Sequence, residues 1–185
     1  MEDLSLHILD IVENSIEAGA RRIKIMVDED IVHNRLVLKV TDNGHGMDQK
    51  SLAKALDPFY TTKKVRRVGL GLSLLAQAAK EADGDFSIKS ARGKGTEVVA
   101  RFVYDHIDRR PLGKIADTVL ALIIPVRDVN IDFVYEHRVN GRIFSLDTKS
   151  IKKELAGVEI SHPAVVRHIR KEIRKKLKEL RRSVR

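Results

Sequence analysis

Three glycine turns and one carboxylate are the features of this sequence that could do chemistry. Asp42 opens the segment Asp42-Asn43-Gly44-His45-Gly46-Met47, and two further turns follow at Gly69-Leu70-Gly71-Leu72 and Gly93-Lys94-Gly95-Thr96. Glycine lets a backbone turn through positive φ and lie close to a flat ring, as we expect at Gly44 and Gly46. A carboxylate accepts hydrogen bonds from an exocyclic amine and repels a carbonyl oxygen. The combination favours a pocket for adenine and its phosphates, with Met47 packed against the ring.

Hydrophobic periodicity predicts the elements that position these residues. Leu36–Thr41 is apolar, β-branched and alternating, which predicts a strand that is buried on one face and ends at Asp42. Taken alone, the segment after it is equally typical of a plain turn. Upstream, apolar residues from Leu4 to Ile16 recur at helical spacing, so we expect an amphipathic helix that is closed by Gly19.

Two polar side chains, Asp10 and Asn14, lie one turn apart on this predicted helix. Residues four apart share a helix face, so both could reach one small polar target. An amide oxygen is a hard, neutral ligand of the kind that Mg²⁺ accepts beside its waters and phosphate oxygens. We therefore predict Asn14 as a magnesium ligand. The alternative is that both side chains simply face solvent.

A basic stretch precedes the second glycine turn. The segment Asp57-Pro58-Phe59-Tyr60-Thr61-Thr62-Lys63 follows a helix that is predicted to begin near Gln49, and it opens the basic stretch. Gly69 and Gly71 then lead into Leu72–Lys80, which is rich in strong helix formers. Backbone N–H groups at a helix start form an anion site, so this region predicts phosphate binding.

Taken in order, these segments resemble the GHKL superfamily, the ATP-binding fold of DNA gyrase, heat-shock chaperones, histidine kinases and the MutL mismatch-repair ATPases. The resemblance covers residues 4 to about 104. It implies an α+β fold of the Bergerat type, an α/β sandwich with a mixed, largely antiparallel sheet and helices on one face. It also implies that Asp42 binds the adenine amine with help from Thr96, that Asn14 holds Mg²⁺, and that residues 61–68 form an ATP lid. The residues implied to contact ATP are Asn14, Asp42, Gly44, Gly46, Met47, Phe59, Thr62, Lys63, Gly69, Leu70, Gly71, Leu72 and Thr96.

The resemblance is mixed between subfamilies. Residues 14–20 are similar to the MutL type, whereas the lid entrance and the second and third glycine turns are similar to histidine kinases. Hydrolytic members carry a glutamate where this chain has Asp10, which is our candidate general base. Since aspartate is shorter, we expect slow hydrolysis. Histidine kinases usually place a lysine where Glu17 stands, so phosphate contacts would come from Lys63, Lys64 or the lid arginines.

Composition excludes several classes of protein. The 185 residues include no cysteine, are 43% hydrophobic and contain no apolar run long enough to span a bilayer. The N-terminus also lacks a basic segment before an apolar stretch. We therefore expect a cytoplasmic protein with one main core and without disulfides, membrane insertion or a secretion signal. The net charge of +9 is concentrated at one end, because residues 165–185 carry ten basic and two acidic side chains.

We divide the chain into an ATP-binding domain at 1–104, a small C-terminal α/β extension at 105–162, and a basic amphipathic helix at 163–185. Within the extension we expect a helix from about Pro111 to Ile124, a hairpin turning at Asn140-Gly141, and a short helix capped by Asp147 or Thr148.

An apolar seam runs along the last predicted helix and consists of Val166, Ile169, Ile173, Leu177 and Leu180. We favour docking of this seam on the chain's own core, with the basic face in solvent. A homodimer through the seam is the second interpretation. An acidic partner or nucleic acid is less favoured than either, since only basic charge supports such binding and no aromatic residue is available to stack on bases.

Three functions remain open at this stage. The first is the catalytic ATP-binding component of a signalling kinase whose phosphoacceptor is a separate protein. The second is a slow ATPase switch of the MutL type, and the third is a nucleotide-gated binding module, similar to anti-sigma factor kinases, that regulates a partner. We favour the kinase, because the lid entrance and the second glycine turn are similar to those of kinases.

Overall fold

The computed structural model describes residues 3–55, 71–124 and 130–182. No helix within these ranges is both long and apolar enough to cross a bilayer. The helices and strands follow one another as α1 (Leu4–Glu17), β1 (Arg22–Asp30), β2 (Arg35–Asp42), α2 (Gln49–Lys54), α3 (Gly71–Glu81), β3 (Phe86–Ala91), β4 (Gly95–Val103), α4 (Ile115–Ile123), β5 (Asp132–Val139), β6 (Arg142–Asp147), α5 (Thr148–Glu154) and α6 (Pro163–Arg182).

The strands form one mixed sheet in the order β3-β4-β2-β1-β5-β6. Strands β1 and β5 run parallel, and the other four neighbouring pairs are antiparallel. Asp42 is the last residue of β2, as predicted, and it lies opposite Ile23. The predicted α+β sandwich with a largely antiparallel sheet is therefore confirmed.

The core lies on one face of the sheet. Ile23, Ile25 and Val27 of β1 are buried at alternate positions and belong to the same cluster as residues of α1, α3, α4 and α6. The opposite face carries ion pairs between neighbouring strands, with 2.6 Å from Lys24 Nζ to Glu136 Oε1. Alternation along each strand thus separates an apolar face, which the helices cover, from a charged one.

Local signals set the helix ends. The Asp3 side chain accepts a hydrogen bond from the Leu6 N–H at the start of α1, and Gly19 adopts φ +72° just beyond its end. Helix α4 begins at Ile115 rather than near Pro111, so that predicted boundary is wrong. The reason is Gly113, which adopts φ +79° and cannot continue a right-handed helix.

The residues of the predicted extension share the sheet of the predicted ATP-binding domain. The hairpin turns at Asn140 and Gly141, with φ values of 46° and 81° as an Asn-Gly turn requires. Strand β5 lies directly beside β1. The Asn140 side chain also accepts a hydrogen bond from the Ile31 N–H at 2.8 Å, which joins the hairpin to the end of β1.

Helix α6 packs on its own chain against α4, β5 and β6. Ile169, Ile173, Leu177 and Leu180 of the seam are buried, whereas Val166 is half-buried. These side chains are therefore already covered within one chain, and a dimer through them would require α6 to leave the sheet. The homodimer stays a prediction.

Candidate functional site

A cleft of about 570 Å³ opens beside α1, α2 and the ends of β2 and β4. It brings together six residues that the sequence predicted to contact ATP, namely Asn14, Asp42, Gly46, Met47, Leu72 and Thr96. Its other lining residues are Ile11, Ser15, Glu17, Ala18, His45, Asp48, Ser51, Ala55, Arg92 and Val98. The cleft thus combines apolar walls with a few polar groups, as small-molecule sites do.

The Asp42 carboxylate is nearly buried, at 8% exposure, and three donors fix its orientation. Oδ1 accepts hydrogen bonds from the N–H groups of Gly44 at 2.8 Å and Thr96 at 3.3 Å. Oδ2 accepts one from the Ser15 hydroxyl at 2.8 Å. Because a carboxylate oxygen has two lone pairs, Oδ2 retains one for an amine donor in the cleft.

Thr96 lies opposite Ser90 across the β3–β4 pair, and the two hydroxyls are 2.9 Å apart. Ser90 Oγ also accepts from the Met47 N–H at 2.8 Å and donates to the Gly95 carbonyl at 2.9 Å. A hydroxyl has only one hydrogen, so Thr96 must donate to Ser90. The Thr96 oxygen then faces the cleft as an acceptor.

Glycine is required in this loop chiefly because backbone atoms of other segments lie too close for a Cβ atom. Gly46 adopts φ +65°, as expected, and a Cβ there would lie 2.0 Å from the Ala91 carbonyl oxygen. Gly44 does not adopt a positive φ, so that expectation is wrong. A Cβ on Gly44 would instead lie 2.8 Å from the Ala18 carbonyl oxygen, at the end of α1. Gly44 does not line the cleft and supports Asp42 through its N–H.

Asn14 and Asp10 are one turn apart on α1 but meet different neighbours. Asn14 lines the cleft, and no residue that the structure describes makes a hydrogen bond with its side-chain amide. Asp10 lies against the first residue of α3, because a Cβ on Gly71 would be 3.0 Å from the Asp10 Cβ. Neither Asp10 nor Gly71 lines the cleft. The role of Asp10 as a general base stays a prediction.

Sequence reasoning missed a polar group at the rim of the cleft. Asp48 caps α2 by accepting from the Ser51 N–H at 2.8 Å, and it accepts from Arg92 Nη2 at 2.8 Å. Hydrogen bonds from Ser51, and to a smaller extent one from Arg92, hold the pKa of the Asp48 carboxyl below its usual range. An aspartate three residues before a helical N–H was a recognisable cap signal. By contrast, nothing in the sequence pointed to Ser15 or Ser90, because Ser15 meets Asp42, 27 residues away, and Ser90 meets Met47, 43 residues away.

Five predicted ATP contacts lie outside the described residues, namely Phe59, Thr62, Lys63, Gly69 and Leu70. The predicted lid at 61–68 lies outside them as well.

The donor set of the cleft fits ATP with a magnesium ion. Asp42 offers an acceptor for the adenine amine, Ile11 and Val98 offer apolar contacts, and Asn14 offers an amide oxygen. Among the described residues, no group of three or more His, Cys, Asp or Glu side chains could hold a metal by itself. An ion here would depend on phosphate oxygens and water for most of its ligands, which is the coordination that Mg²⁺ prefers.

The fold and the cleft together define a nucleotide-binding α/β sandwich. Residues 2–106 match the family described as histidine kinase-, DNA gyrase B-, and HSP90-like ATPase, and the chain belongs to this family. It therefore carries a kinase-like ATP-binding domain.

Known proteins resemble this chain over part of their length. Sporulation kinase C of Bacillus subtilis is 35% identical over 88 residues, which are 48% of this chain and 20% of that protein. The tetrathionate sensor histidine kinase of Salmonella typhimurium is 30% identical over 101 residues, which are 52% of this chain and 17% of that protein. The chain thus spans a fifth or less of these relatives. A solved N-terminal domain of a DNA repair protein shares the fold, with a TM-score of 0.54, 18% identity, and coverage of 78% of this chain and 52% of that one.

Proposed function

We propose that this protein binds Mg-ATP in the cleft around Asp42 and donates the γ-phosphoryl group to a phosphoacceptor on a separate protein, as the catalytic component of a signalling kinase. The observation that carries the proposal is the fixed Asp42 carboxylate, which keeps one acceptor position open toward the cleft. The kinase names of two relatives that are 35% and 30% identical over the ATP-binding region support transfer to a protein.

Six residues that line the cleft have a role in this proposal. Asp42 selects adenine by accepting from its amine, and Thr96 adds a neighbouring acceptor. Leu72, Ile11 and Val98 would pack against the base. Asn14 would hold the magnesium ion together with the phosphates. When bound, this ion neutralises phosphate charge during transfer. We also propose that Lys63 contacts the phosphates.

The length of the Asp10 side chain favours transfer over hydrolysis. A general base for hydrolysis must lie within hydrogen-bond reach of the attacking water. Asp10 lies beside Gly71 at the start of α3, where we propose that the phosphates bind, and its side chain is one methylene shorter than the glutamate that the resemblance implies for hydrolytic members. Transfer to a protein acceptor depends mainly on positioning and on charge neutralisation, so it does not require a base at this position.

The test is incubation of the purified protein with magnesium and ATP labelled on the γ-phosphate, alone and with a lysate of its source organism. We expect label on a second protein, little release of inorganic phosphate, and loss of both binding and label in Asp42→Asn. Rapid phosphate release without labelled protein would replace the kinase with an ATPase switch. Nucleotide binding without turnover would replace it with a binding module. Absence of ATP binding would overturn the whole proposal.

A further inference from the structure

Five cations form one row along α6, and we call this row the basic stripe. It consists of Arg167, Lys171, Lys175, Lys178 and Arg182, all of them exposed. Their spacing of three and four residues places them within an arc of about 80° and along about 22 Å of helix. None of the five makes an ion pair or a side-chain hydrogen bond with another residue in the described ranges.

The other arginines of α6 are paired, and they face the body of the protein. Arg174 donates to both Asp117 oxygens of α4, at 2.9 and 3.0 Å. Arg181 donates to the buried Glu29 of β1 at 2.8 and 3.2 Å. On the exposed side of α6, Lys176 also pairs with Glu179 at 3.1 Å. Pairing therefore sets the five cations of the basic stripe apart from the other charged residues named here, because the stripe has no partner acid among the described residues.

Several cations elsewhere in the described ranges form ion pairs. On the open face of the sheet, Lys39 pairs with Glu97 at 2.6 Å, and Arg101 pairs with Asp85 at the same distance. Like charges four residues apart on a helix repel each other, so the basic stripe destabilises the isolated helix. A row of anions from another molecule would remove this repulsion.

The stripe continues toward α4. A groove of about 780 Å³ lies between the start of α4 and the end of α6, and its lining includes Lys114, Lys178 and Arg182. Lys114 precedes α4 and provides no side-chain cap to it. The cationic surface thus extends from one helix to a second.

The chemistry of this surface favours nucleic acid over an acidic protein. The centre of a protein interface is apolar and depleted of charge, whereas no large hydrophobic residue is exposed along 163–182. Protein–DNA interfaces are polar and strongly positive. Single strands are bound by stacking on aromatic side chains, and α6 has no Phe, Tyr or Trp. A duplex needs only cations along its backbone, and B-form DNA has a groove wide enough to admit a helix, unlike the deep, narrow groove of A-form RNA.

We propose that the basic stripe binds the phosphate backbone of double-stranded DNA without reading its sequence. The sequence favours docking of the helix, and then a homodimer, over an acidic partner or nucleic acid, since only basic charge supports the last two. The structure changes this order, because the apolar seam is already covered and the five cations of the stripe have no partner acid among the described residues. This inference stands apart from the phosphoryl-transfer proposal, since the basic stripe includes no residue that lines the cleft.

The test is fluorescence anisotropy of a labelled 20-base-pair DNA duplex, titrated with the full-length protein at about 50 and 200 mM salt. With five phosphates neutralised, the logarithm of the binding constant should fall against that of salt with a slope of about −4.5, or about 500-fold over this range. A triple variant, Lys171→Gln, Lys175→Gln and Lys178→Gln, should bind at least about tenfold more weakly, with a slope near −1.8.

A matched triple variant removes the same charge from exposed lysines on α3, β3 and α5: Lys80→Gln, Lys89→Gln and Lys149→Gln. It should bind the duplex like the wild type, and both triple variants should keep the wild-type melting temperature as evidence of folding. Equal loss in the two triple variants would overturn the proposal, because net charge alone would then explain binding. Three other results would also overturn the proposal. They are tighter binding of a 20-nucleotide oligothymidine than of the duplex, displacement of the duplex by polyglutamate at equal charge, and no binding of the duplex at 50 mM salt.

Discussion

Replacement of Asp42 with asparagine should abolish most of the adenine affinity while leaving the fold intact. The asparagine Oδ1 can still accept from the N–H groups of Gly44 and Thr96, which lie 2.8 and 3.3 Å from the native oxygen. Its Nδ2 can donate to Ser15 Oγ, because the Ser15 hydrogen can turn to the Ile11 carbonyl at 3.1 Å. The internal hydrogen bonds are thus conserved in number.

The substitution instead changes the hydrogen bond between residue 42 and the adenine amine. The open lone pair of Asp42 Oδ2 becomes an N–H, and this donor faces the donor amine of adenine. A hydrogen bond to a charged group contributes about 1.5–3 kcal/mol, and each 1.4 kcal/mol is a factor of ten. The affinity for ADP should therefore fall at least about 10-fold and up to about 150-fold.

Calorimetry with ADP and with GDP measures this effect. The variant should lose ADP affinity while its discrimination against GDP narrows, since the new N–H can donate to the guanine carbonyl. Asp48→Asn is the matched control, because Asp48 lines the same cleft but bonds to Ser51 and Arg92. It should change ADP affinity by less than about threefold, as expected for an exposed carboxylate.

Undiminished ADP affinity in Asp42→Asn, with an unchanged melting temperature, would refute this reasoning. The base would then lie elsewhere, and the proposal for the cleft would fail with it.

Three further predictions concern the metal, the pH dependence and the last helix. Asn14→Ala should abolish phosphoryl transfer from Mg-ATP while metal-free ADP binding persists in calorimetry. Burial, helped by the nearby Arg110 charge, lowers the pKa of His7 from 6.5 to about 4. The folded state therefore favours the neutral ring. The stability that this contributes is complete above pH 6.5 and is lost as the pH falls toward 4. Urea unfolding should show wild type losing up to about 1.4 kcal/mol per pH unit more than His7→Gln over that window. Arg181→Ala should lower the free energy of unfolding by about 1.5–3 kcal/mol, because Glu29 loses charged hydrogen bonds, whereas the exposed Arg182→Ala should change it by less than about 0.5 kcal/mol.

Each of these has a contrary outcome. Full transfer activity in Asn14→Ala would remove that residue from the metal site. Parallel pH curves for wild type and His7→Gln would mean that the ring is not held neutral by burial. Equal effects of Arg181→Ala and Arg182→Ala would mean that the contact with Glu29 does not hold α6 to the sheet.

Local patterns predicted most elements, because their causes are local. Helical spacing and Gly19 predicted α1, and alternation predicted β2 with Asp42 at its end. The Asn140-Gly141 pair predicted the hairpin. The start of α4 was placed too early, since Gly113 adopts a positive φ against Asp3, which is far away in the chain. Similarly, Ser15 and Ser90 could not be identified as supports of the site, because their partners are 27 residues away for Ser15 and on a facing strand for Ser90.

The sequence by itself determined the kinds of groups present: a carboxylate at a strand end, an amide one helix turn from an acid, glycine turns and a terminal helix rich in cations. These follow from residue type and spacing, which act over a few residues. Only the tertiary structure decided which of them meet. It placed Asn14 in the cleft and Asp10 beside Gly71, gave Gly44 a supporting role beside Ala18, and joined the hairpin to β1. It also paired Arg174 and Arg181 of α6 with acids of α4 and β1, because contacts between distant segments depend on how the helices pack on the sheet.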